Sequence, residues 1–305
     1  MPERRPNLQV LRPALSALGA PFRALTFHLQ DHTPRGLPVP GPYPLVLAHR
    51  GGAARAPENT LGALAGCADR GFAVELDVCL SADGVPIVIH DDTLDRTTAG
   101  RGPVGAQTAA ALQALPAAVG WGPAWAHERV PTLRGVLAAI AGRVWVDIEL
   151  KSPPGRGPRA PLVDAVLAVL DDAGCTGSVF ISSFDPFVLG AVADRRPEIY
   201  RGLLVGTGVG AGLRLHERLA LRNLALVGTA RPDVLIVEDV LIDRARAGRW
   251  RQAGYGLLAW TVNAPVRARA LIEHGVQGVI TDDPDLVRAA IGPAPAGNPE
   301  DERAH

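Results

Sequence analysis

Two pairs of acidic residues stand out, because in each pair a single apolar residue separates the carboxylates. Glu75 and Asp77 lie in one apolar stretch, and Asp147 and Glu149 lie in another. Side chains two positions apart on a strand point to the same side, so each pair shares one face. Buried carboxylates on one face repel each other unless positive charge compensates them. A hard divalent cation with oxygen ligands is the simplest solution, and we predict Glu75, Asp77 and Glu149 as its ligands.

Two histidines follow apolar runs elsewhere in the chain, His49 in His-Arg-Gly-Gly and His90 in His-Asp. Imidazole titrates near neutral pH, which suits general acid and base work beside a metal. We predict His49 and His90 as this catalytic pair. Metal ligation by either ring is the alternative, although hard cations favour carboxylates.

Basic and aromatic side chains accompany these groups. Arg50 and Lys151 suit contacts with an anionic phosphate. The alternative is a salt-bridge network in which both side chains only balance the carboxylates. Trp260 and Phe184 are candidates for the wall of a substrate cleft, with core filling as the alternative.

The Pro-Glu-Asn-Thr segment contains two further candidates. Thr60 is expected to cap the helix that begins near Leu61. Asn59 is expected to contact the phosphate or a water molecule. Asp282 and Asp283 are expected to orient their loop and to cap the helix after Pro284.

Alternating strands and helices must position these residues. The predicted strands are near-continuous apolar runs, as expected for a parallel sheet covered on both faces, and they comprise Leu45–His49, Ala73–Val78, Val144–Leu150, Ser178–Ser183, Gly202–Val205, Val234–Val237, Gly256–Thr261 and Gly278–Thr281. The segments between them have helical composition and include Leu61–Arg70, Thr132–Ala141, Pro161–Ala173, Pro186–Arg195, Val266–His274 and Pro284–Ala290.

Eight such strands predict a closed α/β barrel of the TIM (β/α)8 type, with working residues at the C-terminal ends of the strands. A ninth run, Pro86–His90, follows Ala73–Val78 after only a short turn, and a parallel crossover needs a dozen or more residues. This pair is therefore predicted to be an antiparallel hairpin outside the barrel count. The segment Asp92–Arg129 is predicted to be an excursion with one short helix, Thr108–Leu115.

Composition limits the other function classes. The 305-residue chain has 31 basic and 31 acidic residues, so its net charge gives no general attraction to nucleic acid or an anionic membrane. No run approaches the roughly 18–20 apolar residues that span a bilayer. The three cysteines, Cys67, Cys79 and Cys175, include no CxxC pair, which fits a reducing cytoplasm. We predict an N-terminal extension (1–40), one barrel domain (41–292) and a disordered tail (293–305).

The order of motifs resembles the glycerophosphodiester phosphodiesterase family over residues 45–290. The matching motifs are His49–Gly51, Pro57–Thr60, Glu75–Val78, Asp83–Gly84, Ile87–Asp91, Leu94–Thr98, Val130–Leu133, Glu149–Lys151, Ser183–Phe184, Trp260–Asn263 and Gly278–Asp282. The resemblance implies a barrel of the phospholipase C-like phosphodiesterase type and one Ca²⁺ or Mg²⁺ ion. It also implies hydrolysis of small glycerophosphodiesters to glycerol 3-phosphate and an alcohol.

The family pattern places His49 and His90 as the acid/base pair, the three carboxylates on the metal, and Arg50 and Lys151 on the phosphate. Other functions remain open at this point. They are a lysophospholipase D with an apolar rim at Gly206–Leu213, a non-catalytic barrel that binds a phosphate ligand, and an aldolase-like barrel with a Schiff base on Lys151. The sequence does not predict an oligomeric state.

Overall fold

Nine strands organise the fold. The computed structural model describes residues 32–39, 44–152, 158–207 and 227–292. The strands are β1 (Leu45–Ala48), β2 (Ala73–Leu80), β3 (Pro86–Val88), β4 (Val146–Leu150), β5 (Val179–Ser183), β6 (Tyr200–Val205), β7 (Val234–Glu238), β8 (Gly256–Trp260) and β9 (Gly278–Thr281).

Eight of these strands close into a parallel barrel. Neighbours follow the order β1-β9-β8-β7-β6-β5-β4-β2, and pairing of β1 with β2 completes the ring. Leu47 is in register with Ala73 on one side and Ile280 on the other. The predicted TIM barrel is therefore confirmed, with its C-terminal strand ends gathered at one face.

The ninth strand forms the predicted hairpin. β3 pairs antiparallel with β2, with Val78 opposite Val88 and Leu80 opposite Pro86. The excursion that follows has its own buried cluster, which includes Ile87, Leu94, Val104, Leu112 and Val130. This cluster holds the hairpin and the excursion together as one unit beside the barrel.

Helices lie in the segments that connect the strands. They are α1 (Leu61–Asp69), α2 (Ala109–Gln113), α3 (Leu133–Ile140), α4 (Ala160–Ala173), α5 (Pro186–Arg195), α6 (Val227–Ala230), α7 (Arg244–Gln252), α8 (Pro265–Glu273) and α9 (Pro284–Ile291). Thr60 caps α1 as predicted, because its hydroxyl accepts a hydrogen bond from the backbone N–H of Ala63 at 3.3 Å. Asp283 caps α9 in the same way through Leu286. None of the helices in the described ranges is long and apolar enough to cross a membrane.

Residues 32–39 cover the N-terminal end of the barrel. Leu37 packs against the cluster inside the barrel, which includes Phe180 and Leu258. Arg35 makes a bidentate contact with Asp233, at 2.9 Å from Nε to Oδ1 and 2.8 Å from Nη2 to Oδ2. Asp233 precedes β7 and is fully buried. Part of the predicted N-terminal extension therefore packs on the barrel.

We expect Arg35→Ala to lower the free energy of unfolding by about 2–3 kcal/mol, because it removes a charged hydrogen-bonding partner from the buried Asp233 carboxylate. Urea unfolding followed by circular dichroism measures this change. Arg101→Ala is the matched control, since Arg101 is 82% exposed and forms an ion pair with the exposed Asp95. An equal effect of the two substitutions would show that the contact with Asp233 contributes no specific stability.

Candidate active site

Three buried carboxylates converge at the C-terminal face. The side chains of Glu75, Asp77 and Glu149 offer oxygen atoms that all lie within 4.8 Å of one another. Strand register explains this, because Asp77 of β2 lies directly beside Glu149 of β4. The structure thus brings together the three residues that the sequence predicted as metal ligands.

Two basic side chains contact this carboxylate cluster. Lys151 Nζ lies 2.8 Å from Asp77 Oδ1 and 2.6 Å from Glu149 Oε1. Arg50 Nε lies 3.3 Å from Asp77 Oδ2. Burial alone would raise the pKa of Asp77, but Lys151 and Arg50 overcome it and hold that pKa well below its usual range. The ion pairs expected from the salt-bridge alternative are therefore present in the structure.

These contacts leave much of the negative charge uncompensated. Within the described ranges no lysine or arginine side chain forms an ion pair with Glu75. The histidine nitrogen that lies near it, Nε2 of His49, is 3.9 Å from Glu75 Oε2. Burial, and next the charge of Asp77, raise the pKa of Glu75 to about 8. Asp147 lies beside Glu75 in the register of β4 and β2 and is fully buried, and burial raises its pKa well above the usual range even though the Ser182 hydroxyl acts in the opposite direction.

A divalent cation fits this donor set. Among the described residues, Arg50 and Lys151 are the permanently charged cations that form ion pairs with this group of four buried carboxylates, which includes Asp147. Hard oxygen ligands at this spacing suit Ca²⁺ or Mg²⁺. Lys151 argues against the aldolase-like alternative, because Asp77 and Glu149 outweigh its burial and raise its pKa, which favours the charged ammonium.

Each predicted catalytic histidine is oriented by a carboxylate. His49 Nδ1 lies 2.6 Å from Asp282 Oδ1, and His90 Nδ1 lies 2.6 Å from Asp91 Oδ1. A carboxylate only accepts, so Nδ1 donates and Nε2 is left for proton transfer. Burial lowers the pKa of His90, whereas Asp282 and Glu75 together outweigh burial and raise the pKa of His49.

The turn after β1 places His49 and Arg50 at this face. Gly51 has φ of +82°, and a Cβ there would lie 2.9 Å from the backbone of Ala63. Only glycine therefore allows the turn to pack against α1. Arg50 itself has φ of +52°, so its backbone N–H can donate to Glu75 Oε2 at 3.0 Å.

A cleft opens beside the carboxylates, and its empty space is about 430 Å³ when the part open to solvent is included. Phe184 and Trp260 form one wall, with ring centroids 5.3 Å apart and planes at 77°. Most of the predicted site residues line this cleft, whose lining includes His49, Arg50, Glu75, His90, Glu149, Lys151, Phe184 and Trp260. The predicted apolar rim of a lysophospholipase D, Gly206–Leu213, lies outside the described residues from position 208 onward.

Asn59 contacts a carboxylate of the cluster. Its Nδ2 donates to Asp77 Oδ2 at 2.8 Å, and its Oδ1 accepts from the backbone N–H of Asp77 at 3.3 Å. With φ of +57°, the residue turns its side chain toward β2. The Asn59 amide therefore positions Asp77, and its expected contact with the phosphate or a water molecule stays a prediction.

Three residues that form hydrogen bonds with predicted site residues were not themselves predicted as site residues from the sequence. Asp282 and Asp91 orient the histidines, and Glu58 accepts a hydrogen bond from Arg50 Nη1 at 3.0 Å. Asp91 directly follows His90, and Glu58 directly precedes Asn59. Asp282 directly follows β9, which is the barrel neighbour of β1. That adjacency was the signal that could have paired Asp282 with His49.

The sequence of this chain is similar to those of known proteins. Residues 49–286 match the Glycerophosphoryl diester phosphodiesterase family. A glycerophosphodiester phosphodiesterase of Caldanaerobacter subterraneus subsp. tengcongensis is 32% identical over 245 residues, which cover 80% of this chain and 96% of that protein.

Two solved structures of phosphodiesterases are similar to this chain. A phosphodiesterase of Oleispira antarctica in complex with the product sn-glycerol-3-phosphate is 32% identical, with a TM-score of 0.71 over 82% of this chain and 97% of that one. A glycerophosphodiester phosphodiesterase of Agrobacterium tumefaciens is 27% identical, with a TM-score of 0.65 over 80% and 99% of the two chains. The chain described here belongs to the glycerophosphoryl diester phosphodiesterase family.

Proposed function

We propose that this enzyme hydrolyses glycerophosphodiesters to glycerol 3-phosphate and an alcohol, with one divalent cation held by Glu75, Asp77 and Glu149. The observation that carries the proposal is the convergence of these three buried carboxylates within 4.8 Å beside two histidines that are each oriented by a carboxylate. The product bound to the Oleispira antarctica relative supports the substrate class.

His49 and His90 would divide the proton transfers between them. Nε2 of one ring takes the proton of a glycerol hydroxyl, which attacks phosphorus, and the other ring protonates the departing alcohol. Water then opens the resulting cyclic phosphate with the two roles exchanged. When bound, a divalent cation supplies Lewis acidity to the phosphoryl group and the attacking hydroxyl.

Arg50 and Lys151 would stabilise the phosphoryl oxygens. Both line the cleft, and both now contact carboxylates of the cluster. A cation on the carboxylates would weaken those ion pairs and leave the two side chains more available to an anionic substrate.

We also propose the domain limits of 41–292 for the catalytic barrel and a cytoplasmic location. Limited proteolysis with mass spectrometry of the fragments would test the limits.

We expect chelation to lower turnover of glycerophosphocholine by at least about 100-fold, since loss of a metal removes several kcal/mol of transition-state stabilisation. The measurement is release of glycerol 3-phosphate before and after EDTA treatment and dialysis. Added Ca²⁺ or Mg²⁺ should restore the rate, and circular dichroism serves as the control for an intact fold. Full activity in protein shown to be metal-free would refute the metal-dependent mechanism.

A further inference from the structure

One arginine of the excursion joins the end of the hairpin to the barrel. Arg96 Nε and Nη2 donate to the two carboxylate oxygens of Asp91 at 2.7 and 3.0 Å. Nη2 and Nη1 also donate to the two oxygens of Glu58 at 2.8 and 2.6 Å. Because the guanidinium is planar and rigid, these hydrogen bonds fix the positions of both carboxylates relative to each other. Arg96 therefore holds two acidic side chains from different parts of the chain in one arrangement.

The first of these carboxylates orients a predicted catalytic histidine. His90 lies just beyond β3, which ends at Val88, so its ring depends on side-chain contacts for its orientation. Its Nδ1 lies 2.6 Å from Asp91 Oδ1. The hydrogen bonds from Arg96, more than any other contact, lower the pKa of Asp91 to about 2. Asp91 thus stays a charged acceptor for Nδ1, and Arg96 sets where that acceptor lies.

The second carboxylate is fixed on the barrel. Glu58 lies in the loop between β1 and α1, and its side chain is only 17% exposed. Hydrogen bonds hold the backbone on either side of it. The backbone N–H of Asn59 donates to the carbonyl of Arg50 at 2.9 Å, and the Thr60 hydroxyl donates to the carbonyl of Pro57 at 2.8 Å. Glu58 is therefore an anchor that belongs to the barrel and not to the excursion.

We propose that Arg96 is a positioning residue for the hydrolysis, which ties Asp91 to the Glu58 anchor and so keeps the His90 ring in the orientation that proton transfer needs. A misplacement of about 1 Å in an active site lowers a rate by about 10²-fold, so this tie affects turnover although Arg96 acts only through Asp91. The inference rests on the proposed function and gives the excursion, which supplies Arg96, a role in catalysis.

The alternative is an ordinary surface ion pair. The Arg96 side chain is 49% exposed, and exposed ion pairs contribute little to stability. Such a pair would affect turnover equally whether or not His90 is present. A positioning residue would affect turnover only while the ring that it positions is present, and this difference can be measured.

The test is a double-mutant cycle with glycerophosphocholine as the substrate. Arg96→Gln should lower kcat by about 10- to 100-fold and change KM by less than about threefold, because the substrate contacts remain. In the His90→Ala background the same substitution should lower kcat by less than about twofold, since the ring through which Arg96 acts is absent. Release of glycerol 3-phosphate measures both rates, and circular dichroism confirms that each variant is folded.

Arg101→Gln is the matched control, because it makes the same substitution in the same segment at a side chain that is 82% exposed, and its kcat should equal that of the unmodified enzyme. Arg96→Lys is the second variant and takes the place of Arg96→Gln in the cycle if that variant does not fold. Lysine keeps the charge but cannot make paired contacts with both carboxylates, so its kcat should fall by at least about fivefold.

An unchanged kcat in the folded Arg96 variant, or an equal fractional loss with and without His90, would overturn the positioning role and leave the proposed function standing. Failure of the unmodified enzyme to hydrolyse glycerophosphocholine would overturn both.

Discussion

His49→Ala and His90→Ala should each lower kcat on glycerophosphocholine by about 10²- to 10⁴-fold, the range typical for loss of a positioned acid or base. Each substitution removes one of the two imidazoles that line the cleft and leaves the three carboxylates in place. Release of glycerol 3-phosphate under substrate saturation, with added Ca²⁺ or Mg²⁺, measures the loss.

The control for this prediction is His127→Ala. His127 is 73% exposed and lies in the excursion, so its loss should leave kcat within about twofold, as expected for a surface position. Near-normal turnover in either His49→Ala or His90→Ala would show that the acid/base pair is wrong.

Glu75→Gln should stabilise the metal-free protein by about 2–4 kcal/mol at pH 8, because it removes a buried charge from a cluster of carboxylates. Burial and Asp77 raise the pKa of Glu75 from 4.5 to about 8 in the folded chain. A raised pKa favours the protonated form in the fold, so stability is highest below the unfolded pKa and falls as pH rises toward 8. Glutamine removes this pH dependence.

The same substitution should abolish stabilisation by a cation. In the unmodified protein, Ca²⁺ or Mg²⁺ should raise Tm at pH 8, since a ligand that binds only the folded state stabilises it. Thermal unfolding at pH 5 and pH 8, with EDTA or with the cation, measures both effects, and Glu273→Gln is the charge-matched control. Equal responses of Glu75→Gln and the unmodified protein to pH and cation would contradict a cation site at Glu75.

The parallel strands and the common face of Glu75 and Asp77 were predictable from sequence, because both follow from short-range patterns. Apolar runs of four to eight residues fix the strands. The two-residue spacing of Glu75 and Asp77 fixes their common face, and the brief turn after β2 requires a hairpin.

Other features depend on contacts between distant parts of the chain, and these were not predictable. The pairing of His49 with Asp282 spans most of the sequence, and the direction of the Asn59 amide depends on a left-handed backbone conformation. Helix α7 was missed because its sequence is rich in arginine and buries only Ala247. The contact of Arg35 with Asp233 joins segments with no common motif.

Diffraction from crystals grown with Mn²⁺, which takes the same carboxylate ligands as Mg²⁺, tests the central claim most directly. We predict one anomalous peak within about 2.0–2.6 Å of an oxygen from each of Glu75, Asp77 and Glu149. A peak elsewhere, or no peak with Asp77 and Glu149 still bound by Lys151, would show that the cluster is a salt-bridge network and not a metal centre.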